Sequence, residues 1–160
     1  MKQKRLEIAY QELAFDELPA QEQDLVRSAI KATGNSYSPY SHFRVGAALR
    51  LEDGSVQMGA NQENAAFPSG LCAERTAIFA VQAQHPELRP VLLAIAARNA
   101  NGLLPEPVSP CGACRQVMLQ MEQRYGQPMG VILYGTKHIF KFRSASQLIP
   151  FSFGDDNMKQ

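Results

Sequence analysis

The sequence predicts an α/β fold of three layers, a mixed five-stranded sheet flanked by helices. Three observations carry that prediction. Phe43, Val45, Ala47 and Leu49 alternate along one face, and after the Glu52-Asp53-Gly54 turn residues 55–60 return as a hairpin partner. VLLAIAA, residues 91–97, is a continuous apolar run, as expected of a strand covered on both faces. Two helical patterns separate the strands, which calls for crossovers rather than hairpins.

The elements follow in order. RLEIAY alternates Leu6, Ile8 and Tyr10, which suits a short strand-like arm. Pro19 marks a first helical position, and Leu25, Val26, Ala29 and Ile30 form an apolar stripe that ends near Gly34. NSYSPYSH is rich in turn formers and precedes the first strand of the hairpin. Pro68, Ser69 and Gly70 break the chain before LCAERTAIFAVQAQ, a helix that His85-Pro86 stops. The 91–97 strand follows, then a loop over 99–108. CRQVMLQMEQRY is the next helix, with Val117, Met118 and Met121 on its apolar face. GVILYG and HIFKFR are the last two strands, and ASQLIP is a helical turn.

Composition narrows the function classes. The 160 residues are 45% hydrophobic and 19% charged, enough for one packed core. A net charge of +1 offers no phosphate track for a nucleic acid polymer. Basic residues Lys2, Lys4 and Arg5 lead into Leu6, Glu7 and Ile8 rather than into a signal-peptide core. No apolar run reaches the roughly 20 residues of a membrane span. Three cysteines, an odd number, point to reduced thiols, and the expected location is the cytoplasm.

Those cysteines sit in telling places. Cys111 and Cys114 lie in SPCGACRQ at one helix start, and Cys72 lies in GLCAERTA at another. Helix N-termini carry unpaired N–H groups and partial positive charge, which favours thiolate. The C-x-x-C spacing suits tetrahedral zinc, and Cys72 becomes a third ligand if the two helix starts converge. Three protein ligands leave a position open for water, the mark of a catalytic rather than a structural site. Glu74, two residues after Cys72, is then placed to move protons without ligating the metal. Arg75 would offset the negative charge of three thiolates on Zn²⁺. A redox C-x-x-C, a structural zinc module closed by a histidine, and plain buried thiols are the competing readings.

C-A-E followed by P-C-G-A-C-R-Q, together with YSPYSHFRVGAAL and NQENAAF, resembles the small homotetrameric zinc cytidine deaminases. The similarity runs from about Tyr37 to Gln123, with an echo in LIPFSFG. It implies a cytidine deaminase-like fold with residues 1–18 as an arm and 19–160 as a single zinc nucleoside deaminase domain. It implies one Zn²⁺ per subunit on Cys72, Cys111 and Cys114, with Glu74 as the proton shuttle. Asn61 and Glu63 would hold the ribose hydroxyls; Phe43, Phe67 and Ala73 would line the nucleoside pocket. Phe153 would reach the base in a neighbouring subunit of the homotetramer. The implied reaction is hydrolytic deamination of cytidine and 2′-deoxycytidine in pyrimidine salvage. Another cytosine nucleoside, such as an antibiotic, and a non-catalytic zinc-binding module are the alternatives. The chain departs from the family's common pattern at Ala60, Phe67 and Asp155, where cysteine, tyrosine and proline are usual, and in longer segments before Leu18 and around GLLPEPV.

Overall fold

The computed structural model describes residues 1–158. A central sheet has helices on both faces. Its strands are β1 (Gln11–Leu13), β2 (Arg44–Leu51), β3 (Val56–Ala60), β4 (Pro90–Asn99), β5 (Gly102–Leu103), β6 (Gly130–Tyr134) and β7 (Ile139–Phe142). The order across the sheet is β1-β7-β6-β4-β2-β3, and β5 pairs with the end of β4. The three helices are α1 (Ala20–Ala32), α2 (Ala73–Gln84) and α3 (Gly112–Tyr125). The five expected strands are all present; β1 and β5 bring the sheet to seven.

Both additions are short strands that local pattern does not mark. The arm pairs at Gln11–Leu13 rather than over the alternating 6–10 stretch, because Leu13 opposes Ile139 on β7. Leu6 and Ile8 stay exposed, while Tyr10 stacks on Phe142 with ring centroids 5.4 Å apart. Pro19 is the residue just before α1 rather than its first turn, and α2 begins at Ala73 with Cys72 as its cap.

The period-2 geometry of β4 divides the core. Leu93 and Ile95 face α2 and α3 with Ile78, Val81 and Met118; Leu92, Ala94 and Ala96 face α1 with Leu25, Val26 and Ala29. This two-sided burial explains the unbroken apolar run. Each fully buried Leu or Ile contributes about 1.5–3 kcal/mol. Close approach needs glycine on both faces. A Cβ at Gly46 would collide with the Ala29 carbonyl of α1, and one at Gly59 would lie 2.5 Å from Ala73 O and Ala77 N of α2.

Topology sets the position of the site. β2 is antiparallel to both β3 and β4, so β3 and β4 run the same way, and β4 is parallel to β6. α2 follows β3, and α3 follows β4 after the short β5, and their cysteine-bearing starts meet at one end of the sheet. Crevices outside the carboxyl ends of the strands are where open α/β sheets bind ligands.

Candidate metal centre and substrate cavity

Cys72 caps α2, Cys111 caps α3, and Cys114 lies in the first turn of α3. Their sulfurs lie within 4.8 Å of one another, with Cys72 and Cys111 3.8 Å apart. Zinc–sulfur bonds of about 2.3 Å in a tetrahedron hold sulfurs about 3.8 Å apart, so this donor set fits the ion. No histidine joins the cluster among the described residues. Among the described residues no fourth side-chain donor joins the three sulfurs.

The electrostatics of the cluster favour charge on Cys72. Its pKa is lowered to about 5, first by a hydrogen bond from Cys114 and then by Arg75. Arg75 Nη2 donates to Cys72 Sγ at 3.6 Å. Cys114 moves the opposite way because it keeps the shared proton, and burial adds to the shift. Arg75 is thus bonded to sulfur, and its Nε is buried without a hydrogen-bond partner among the described residues.

Glu74 is 4% exposed, the one fully buried carboxylate among the described residues. Burial raises its pKa most, and the charge on Cys72 adds to the effect. α2 carries Glu74 inward because Ala73, Ala77, Ile78 and Val81 face the sheet. The absence of a side chain at Gly59 lets that first turn sit against β3.

Beside Cys72 lies a cavity of about 330 Å³ lined by Tyr40, Asn61, Glu63, Phe67 and Leu71, among others. Glu63 is locked in place by its neighbours. Its Oε2 accepts from the backbone N–H of Tyr40 at 3.0 Å and of Ser41 at 3.3 Å, and Oε1 accepts a short bond from the Ser41 hydroxyl. These bonds lower its pKa, the Ser41 hydroxyl most. Asn61 is partly committed to the fold. Its Oδ1 accepts from Ser36 Oγ at 2.6 Å and Val45 N at 2.8 Å, and Nδ2 donates to Phe43 O at 2.9 Å.

The other expected residues fall into two groups. Ala73 is fully buried in the first turn of α2, and Phe43 is half-buried just before β2. Phe67 is 74% exposed at the cavity rim, edge-on to Tyr40 at 5.5 Å. Phe153 lies outside this cavity and is 61% exposed. Its carbonyl accepts from Gln116 Nε2, while Gln120 and Gln123 hold Asp155, so three glutamines on one face of α3 fix the tail.

The sequence gives no role to Ser36, Tyr40 and Ser41, although the last two fall within YSPYSHFRVGAAL. Arg115 is not marked by the sequence either. It donates to Pro110 O and Leu148 O, both at 2.8 Å, and so fixes the turn that carries Cys111.

Residues 19–125 match the family described as the cytidine and deoxycytidylate deaminase zinc-binding region. The chain belongs to this deaminase family. A cytidine deaminase of Sporosarcina psychrophila is 37% identical over 134 residues, covering 84% of this chain and 92% of the relative. One from Halalkalibacterium halodurans is 48% identical over 99 residues, 62% of this chain and 70% of the relative. The crystal structure of cytidine deaminase from Burkholderia pseudomallei superposes with a TM-score of 0.69 at 37% identity, covering 81% of this chain and 97% of that one. The deaminase family match extends over α1, the hairpin, both cysteine-bearing helix starts and Glu74.

Proposed function

We propose that this chain is a zinc-dependent cytidine deaminase, which hydrolyses the C4 amine of cytidine and 2′-deoxycytidine to give uridine or 2′-deoxyuridine and ammonia. The observation that carries the reading is the buried carboxylate of Glu74 beside three converging sulfurs that no fourth donor joins among the described residues. Family membership and relatives named cytidine deaminase support the substrate.

Cys72, Cys111 and Cys114 would hold the ion. When bound, zinc acts as a Lewis acid that brings the pKa of a coordinated water to about 7. Glu74 takes the proton released by the attacking water, delivers it to ring N3, and carries the second proton to the departing amine. Its raised pKa suits a group that must both accept and donate near neutrality. Arg75 draws charge from Cys72 through its sulfur contact.

The sugar contacts follow from unused hydrogen-bonding capacity. Both oxygen lone pairs of Asn61 are occupied, whereas one amide hydrogen remains, so Asn61 serves the ribose as a donor. Glu63, held by the Tyr40–Ser41 backbone, accepts from a hydroxyl without reorganising. The Ala73 N–H, the first in α2, is free to meet the pyrimidine carbonyl. Phe43 flanks the ring, and Phe67 closes the mouth through packing rather than a hydroxyl.

The enzyme is a homotetramer in which Phe153 enters a neighbour's cavity. Support comes from the exposure of Phe151, Phe153 and Phe67, and from the fixed tail that presents the first two. Three reduced cysteines at one cation suit the cytoplasm. No helix of the described residues is long and apolar enough to cross a membrane.

The test is turnover of cytidine, followed by loss of near-ultraviolet absorbance, in the parent and in Glu74→Gln, with zinc content measured in both. Parent turnover is expected, with zinc retained in the variant and kcat reduced by about a hundred- to ten-thousand-fold. Zinc bound without parent turnover on either nucleoside would overturn the substrate assignment.

A further inference from the structure

A second cavity, larger than the first at about 650 Å³, lies behind the segment that supplies Tyr40 to the substrate cavity. Ser36, Ser38, His42, Arg44, Arg98 and Asn99 line it, and no carboxylate does. Arg44 and Arg98 are direct partners across the β2–β4 ladder. Their side chains therefore share the sheet face that α1 covers at Gly46 and Ala96, just beyond the end of that helix.

Like charges placed opposite one another across a ladder are destabilising. Among the described residues neither arginine makes an ion pair that would offset this, and Arg98 Nε is buried without a hydrogen-bond partner. A buried donor of a charged group left without an acceptor is costly, so Arg98, with the exposed Arg44 beside it, favours an anionic acceptor in this cavity.

We propose that this cavity binds a phosphate dianion, either inorganic phosphate or the phosphate of a small phosphomonoester. Two guanidinium forks supply parallel N–H pairs that match its oxygens, and the Ser38 hydroxyl and Asn99 amide add neutral donors. That donor set exceeds what the two oxygens of a carboxylate accept. The volume also exceeds one ion and lies within the range of sites for small organic ligands. The site is separate from the reaction. The Ser36 hydroxyl nevertheless lies 3.2 Å from Ser38 Oγ and donates to Asn61, so one hydroxyl links the two cavities.

The experiment titrates the full-length zinc-loaded protein with inorganic phosphate at constant ionic strength. Calorimetry and the phosphorus NMR line width report binding. A second titration uses uridine 5′-monophosphate with excess uridine present to fill the nucleoside site. One saturable phosphate per chain is expected, weakened by roughly tenfold or more in Arg98→Gln and in Arg44→Gln and unchanged in the distant Arg124→Gln. Arg44 is exposed, so its variant decides the matter if Arg98→Gln fails to fold. Tighter binding of the monophosphate than of phosphate would identify a phosphomonoester site, and equal binding a site for the free ion. Absence of saturation with both probes, or equal weakening in Arg124→Gln, would overturn the proposal. The readout is binding, so it stands or falls independently of turnover on cytidine.

Discussion

Glu63 lines the cavity beside Cys72 and Glu74 is buried two residues after that cysteine, yet their surroundings push their acidities in opposite directions. Three donors from Tyr40 and Ser41 lower Glu63, whereas burial raises Glu74. A carboxylate with a lowered folded pKa stabilises the fold above its ordinary value and loses that contribution as pH falls through the folded one. The segment around Tyr40 and Ser41 is therefore expected to be best protected above about pH 4.5 and to loosen progressively below it. Amide hydrogen exchange at Tyr40 and Ser41 across the acid range measures this, and Glu63→Gln should flatten the profile. A pH-independent profile in the parent would remove the pinning role assigned to Glu63. The cluster itself is legible in the residues: the spacing of Cys111 and Cys114 and the place of Cys72 at another helix start anticipate the three sulfurs that the fold brings together. The pinning of Glu63 and the partial commitment of Asn61 are not legible, because Ser36 and Ser41 reach them across 25 and 22 positions of sequence.

Helices α2 and α3 convert a sheet edge into a metal centre, and each is positioned by a small number of contacts. For α2 the decisive residue is Gly59. Its replacement by Ala would drive a methyl group against Ala73 O and Ala77 N, both backbone atoms that can move only with the helix. Gly59→Ala is expected to cost about 1–3 kcal/mol and to lower zinc content, measured by denaturant unfolding and metal analysis. Full zinc occupancy at parent stability would show that α2 tolerates the shift. For α3, Arg115 fixes the beginning, and Glu122 fixes the end by accepting from Met129 N and Ala145 N at 2.7 and 2.8 Å. The helices and the main strands are readable from periodicity because burial repeats along them. β1 is not: only Leu13 of its three residues is even partly buried, and its place depends on Ile139 at the far end of the chain. β5, with two residues at the end of β4, is set by a turn through Gly102 at a φ of 105°.

At the scale of the whole molecule the tail and the cluster make separate demands. Phe153 is presented outward by the α3 glutamines, and Phe153→Ala is expected to raise KM for cytidine by roughly tenfold with zinc unchanged. An unaltered KM would exclude Phe153 from any substrate cavity. The three sulfurs matter to more than chemistry. Cys72 and Cys111 are 39 positions apart and belong to two different crossovers of the sheet. An ion shared between them closes a loop of that length and removes open conformations from the denatured chain, an effect of about 4 kcal/mol for a cross-link of that span. Chelation is therefore expected to lower the melting temperature by about 10 °C, read by calorimetry with and without excess zinc. An unchanged melting temperature would show that the chain holds its crossovers together unaided. In polymer terms the cluster is a reversible tie between distant segments. Its strength varies with the free metal concentration, so the surrounding metal supply sets the chain's heat resistance even where no nucleoside is present.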